Sequence, residues 1–124
     1  MKTCAEERAS DRRSFSVLVL DMSHYQERRH ETLVSGFPTL ADAVEYARRR
    51  MRDSLEEQRR PGQTREALRE GWSMFGEAAS VVGGGYRGFD ELEYFIEHAA
   101  TFDERDWMSL ERKFGGLLQH SVAE

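Results

Sequence analysis

The chain has 124 residues, 39% hydrophobic and 33% charged, with a formal net charge of −5 and a single cysteine. That length fits one domain with a real core, hiding roughly two-thirds of the surface the unfolded chain exposes. An internal disulfide is excluded and no apolar run approaches the roughly 18 residues of a membrane span, so the expectation is a soluble protein of a reducing, cytoplasmic compartment.

Residues 1–13 are polar and read as a loose tail. No apolar segment precedes Cys4, so they resemble neither a secretory signal nor a lipoprotein leader, and Cys4 reads as an incidental thiol. Phe15 to Leu20 (FSVLVL) predicts a strand, with Phe15, Val17 and Val19 on one face and Ser16, Leu18 and Leu20 on the other. A polar loop follows, and Thr32 to Phe37 predicts a second, antiparallel strand ended by Gly36 and Pro38.

Thr39, with Asp42 three residues on, predicts a capped helix running to about Gln58, before Pro61-Gly62. Leu40, Val44, Ala47, Met51 and Leu55 form its apolar stripe. Thr64 caps a shorter helix with Leu68, Trp72 and Phe75 inward, stopped by Gly76. Ala78 to Val82 predicts a third strand. Asp90 and Glu93 form a capping box, with Phe89 and Tyr94 as its hydrophobic staple, for a helix burying Leu92, Phe95, Ile96 and Ala99. A last helix, about Glu104 to Phe114, presents Trp107, Leu110 and Phe114; Gly115-Gly116 ends it and residues 115–124 form a tail. The expectation is an α+β two-layer domain over residues 14–114, in the order β-β-α-α-β-α-α. About four helices pack on a three-stranded, mainly antiparallel sheet with the first strand in the middle.

Gly83-Gly84-Gly85-Tyr86-Arg87-Gly88 matches the letter of a dinucleotide-binding loop. Its context fails, because that motif opens a parallel βαβ unit and no further strand is predicted after it. The segment reads as a turn tolerating positive φ, and no cofactor is expected. The loop from Asp21 to Glu31 gathers Asp21, His24, Glu27, His30 and Glu31, residue types that shuttle protons or ligate metals. Their spacing matches no ligand motif, so no metal is expected there, and a solvated hairpin tip explains them without any chemistry.

Charge is segregated. Residues 48–70 carry eight Arg against five acids, whereas residues 77–111 carry nine acids against two Arg. On the long helix Arg48, Arg52 and Arg59 share one flank of the apolar stripe, while Glu45–Arg49 pairs locally. Sixteen arginines against two lysines fit a GC-rich bacterial genome. Helices confined to one side of so small a sheet leave Leu18 and Leu20 for water or a partner, which brings a homodimer into view.

With no coherent catalytic constellation, the leading expectation is a non-enzymatic interaction or regulatory module of the bacterial cytoplasm. It would bind a protein partner or a second copy through Arg48, Arg52 and Arg59, or through the sheet face of Leu18 and Leu20. The alternative is a small enzyme or ligand-binding protein gathering Asp21, His24, His30 and Arg87 around one cavity. A nucleic-acid binder ranks third, because a net charge of −5 repels a polyanion.

Overall fold

The computed structural model describes residues 14–24 and 30–121. The strands are β1 (Phe15–Asp21), β2 (Glu31–Phe37), β3 (Glu77–Val81) and β4 (Leu118–Ser121). The helices are α1 (Leu40–Gln58), α2 (Arg65–Phe75), α3 (Leu92–Glu97), α4 (Phe102–Arg105) and α5 (Trp107–Lys113), with 3₁₀ turns at Met22–His24 and Gly88–Glu91. The sheet is antiparallel throughout, in the order β3-β1-β2-β4. The α+β, two-layer expectation holds, with β1 between β2 and β3. No helix among the described residues is long and apolar enough to cross a membrane.

Four corrections to the sequence reading have local physical causes. Among the described residues the sheet has four strands, because Leu118–Ser121 pairs with β2 in the register Leu33↔His120 and Val34↔Gln119. A four-residue edge strand, LQHS, is too short and polar to announce itself by alternation. The chain turns into it through a bond from Leu117 N to Phe114 O, and passes close to Gly36, whose φ of 109° suits the glycine. The last predicted helix is two, so the helices number five among the described residues. Asp106 ends α4, and its carboxylate accepts from Ser109 N to start α5. The second capping box forms at Thr101 and Glu104 rather than at Asp90 and Glu93. Glu93 is instead engaged by Arg69, and residues 88–91 form a 3₁₀ turn. Leu40, Phe75 and Ala99, expected inward, are exposed.

The core divides in two. Val17, Val19, Val34, Phe37, Ala79 and Val81 pack against Ala43, Tyr46 and Ala47 of α1 and Leu110 of α5. The second half of α1 supplies Met51 and Leu55 to a cluster with Leu68, Trp72, Leu92, Phe95 and Ile96, which closes around Ala78 at the β3 edge. Thr39 Oγ1 accepts from Asp42 N at 3.1 Å, and Thr64 Oγ1 from Ala67 N at 3.0 Å, so α1 and α2 start where the sequence places them.

Candidate functional site

The arginine flank is occupied from within. Arg48 donates from Nε and Nη2 to both carboxylate oxygens of Glu91, at 2.8 and 3.1 Å. Arg52 donates to the carbonyl of His98 at 2.5 Å and stacks over the ring of Phe95, 4.6 Å from its centroid. Arg59 holds Glu56 with one side of its fork and the carbonyls of Phe95 and Ile96 with the other. Arg65–Glu97, Arg69–Glu93 and Arg105–Asp53 continue the pattern. The basic and acidic halves of the sequence are thus each other's partners: they fasten α1 and α2 to the segment from Glu91 to Arg105.

The second surface is the sheet face away from α1. Register sets Leu18 beside Leu33 and Ser80, Ser16 beside Ser35, and Leu20 beside Ala78. The outer strand adds Leu118 next to Ser35 and His120 next to Leu33. Leu20 packs against the second core cluster, whereas Leu18 and Leu33 belong to neither cluster and are half-buried. Leu118 is 66% exposed and Val82 53%. Ser16 Oγ donates to Ser35 Oγ at 2.9 Å, so hydroxyls on this face satisfy one another.

Gly83, Gly84 and Gly85 have φ of 90°, 102° and 102°, three successive positive values that make this a turn. Arg87 behind it bridges to Ser80, sits 3.8 Å from Asp90, and lines a cleft of about 180 Å³ with Leu20, Ala78, Gly88 and Phe89.

Around the end of β1 the structure brings together what the sequence left scattered. Asp21, His24 and His30 are half-buried, and each places one ligand-competent atom so that all three lie within 4.8 Å of one another. The strand end supplies Asp21, the 3₁₀ turn after it His24, and the entry to β2 His30. Asp21 Oδ1 accepts from Ser23 N at 3.0 Å and from Ser23 Oγ at 2.7 Å, which fixes the carboxylate. The two imidazoles stack with centroids 3.7 Å apart, 12° from parallel. Asp21 and His30 face a cleft of about 420 Å³ shared with Glu31, Thr32, Glu77, Gln119 and His120. Arg87 lines the other cleft and does not join them. Glu27 lies outside the described residues.

Beside this group runs a network that the sequence reading missed. Glu77 is opposite Asp21 in the sheet and accepts from Arg50 Nε at 3.1 Å. Arg50 also donates to Tyr46 Oη at 2.6 Å and lies 4.1 Å over the Trp107 ring. Tyr46 donates onward to Glu111 at 2.5 Å, where Gln119 of β4 also donates. Burial pushes the Tyr46 hydroxyl well above the ordinary range, against the pull of the Arg50 charge. The signal was present in the sequence: Tyr46, Arg50 and Ser54 recur every four residues along the inward ridge of α1, a polar line where only apolar residues were sought. Comparison with protein-family models, with curated proteins and with solved structures finds no match to this chain.

Proposed function

We propose that this chain is a small interaction module of the bacterial cytoplasm, and that a second copy covers the sheet face presenting Leu18, Leu33, Val82 and Leu118. The observation that carries the reading is the one-sided sheet: the helices cluster over Val17 and Val19, while Leu18 and Leu33 join neither core cluster. The face alternates an apolar pair, Leu18 and Leu33, with a self-paired hydroxyl couple, Ser16 and Ser35, between Val82 and Leu118, an uncharged patch of the kind that partners cover.

A second copy fits it better than a segment of the same chain. Residues 1–13 carry seven charges and no apolar run, the wrong chemistry for the face. In an isologous pair the same patch serves both sides, so a neutral strip suffices. A two-fold axis along β1 sets the Glu31 flank of one copy over the Arg87 flank of the other, opposite charges on the rim of an uncharged centre. Four strands spaced about 4.8 Å apart, each rising about 3.4 Å per residue, project roughly 400 Å² per copy, about 800 Å² in all, the size of a weak, transient interface. An interface of that size suits a reversible dimer rather than an obligate one.

Sedimentation across a micromolar concentration series tests this. The expected mass rises from the 14.4 kDa of one chain toward twice that value. Leu33→Glu and Leu118→Lys hold the protein monomeric while its circular dichroism stays native. A single-chain mass at every concentration, or a dimer indifferent to both substitutions, overturns the proposal.

A further inference from the structure

Beyond self-association, the geometry points to Asp21, His24 and His30 as a binding site for one divalent transition metal of the zinc, cobalt and nickel class. The three groups come from both shoulders of the β1–β2 connection, and their ligand atoms lie within 4.8 Å of one another. A metal about 2.1 Å from each donor needs donors roughly 3.4 Å apart. Side-chain rotation spans that difference, fanning the stacked imidazoles about a common centre while both strand ends stay in place.

Two further features suit the site to a cation. Ser23 already holds Asp21 Oδ1 with two hydrogen bonds, the outer support that orients a ligating carboxylate. Glu31 and Glu77 line the adjoining cleft, and the Glu31 carboxylate adds negative charge at its mouth. Glu77 is braced by Arg50 and so remains part of the wall.

The donor set decides the class of metal. Two imidazole nitrogens and one carboxylate oxygen suit zinc, cobalt, nickel or ferrous iron, whereas calcium and magnesium require mostly oxygen donors. Three protein ligands leave coordination positions open, and the cleft of about 420 Å³ lies where Asp21 and His30 face it. A small ligand with an oxygen or nitrogen donor has room to complete the shell.

The test is titration of the chelator-treated, untagged full chain with Zn²⁺ by calorimetry and with Co²⁺ by visible absorption. One equivalent binds, with cobalt d–d bands of low-symmetry nitrogen–oxygen coordination. Asp21→Asn, His24→Gln and His30→Gln each weaken binding roughly tenfold or more, and His98→Gln leaves it unchanged. Because these side chains sit at a loop, circular dichroism and a thermal melt of each metal-free variant separate lost ligands from lost fold. Absence of binding at micromolar protein overturns the site, as does one-equivalent binding that survives the His24→Gln/His30→Gln double substitution. Preference for Ca²⁺ over Zn²⁺ overturns the donor-set argument.

Discussion

Ser54 joins three elements through one hydroxyl, and replacing it measures how much that junction contributes. Its Oγ accepts from Trp72 Nε1 of α2 and from the backbone N of Glu77 at the start of β3, both at 3.0 Å, and it donates to the carbonyl of Met51 or Glu77. Ser54 is 6% exposed and Trp72 0%, so the hydroxyl serves a largely buried junction. In Ser54→Ala the Glu77 N–H loses its acceptor, a desolvation cost of about 1–3 kcal/mol. Trp72 Nε1 keeps the Glu77 carbonyl at 3.2 Å and loses only its better partner, about 0.5–1 kcal/mol. The sum is roughly 1.5–4 kcal/mol, or about 6–16 °C in melting temperature for a domain of this size. Urea denaturation followed by far-ultraviolet circular dichroism gives the first number and a thermal scan the second. A double-mutant cycle with Trp72→Phe isolates the shared bond, with a coupling of about 1 kcal/mol expected. A loss under about 0.5 kcal/mol, with no coupling, refutes the view of Ser54 as the hub.

Arg59→Ala leaves the carbonyls of Phe95 and Ile96 and the Glu56 carboxylate without their cation, and lowers unfolding free energy by about 2 kcal/mol in urea; a residue kept for an external partner would show almost no change. Glu91 gives the pH dependence. Burial alone would raise its pKa, but the bidentate bond and charge of Arg48 bring it below the usual carboxylate value. Its contribution to stability is therefore complete above that value and lost as pH falls through the lower, folded one. Urea midpoints measured across that acid range fall less steeply in Arg48→Met than in the native chain.

The strands were legible because Phe15–Leu20 and Thr32–Phe37 are short runs rich in aliphatic and β-branched residues between polar and turn-forming segments, and the long helix because Thr39 and Pro61-Gly62 bracket an apolar stripe. β4 was not legible, since its pairing is dictated by β2 rather than by its own side chains. The 3₁₀ turn at Gly88–Glu91 escaped for a related reason: Asp90 and Glu93 have capping-box chemistry, but Arg69, distant in sequence, claims Glu93. Those arginines illustrate the limit on the site as well. A helical wheel places Arg48, Arg52 and Arg59 on one flank correctly, yet it cannot know that an acidic segment some forty residues later folds back over them. Asp21, His24 and His30 were named individually, but their convergence depends on how the β1–β2 connection closes, which no spacing rule encodes.

The central place of β1 has a consequence for how the chain is made. One neighbour, β2, follows at once; the other, β3, pairs Val81 with Val17 across 64 residues of sequence. At roughly 5–20 residues per second of synthesis, the 44 residues from Phe37 to Val81 take about 2–9 s to appear. For that interval the nascent hairpin offers an unsatisfied inner edge, flanked by Val17, Leu18 and Val19. α1 emerges within it and can shield one side of the hairpin, but the edge itself waits for β3. A ribosome pause between Gln58 and Gly76 would prolong that exposure, and chaperone demand for this protein should be greatest there.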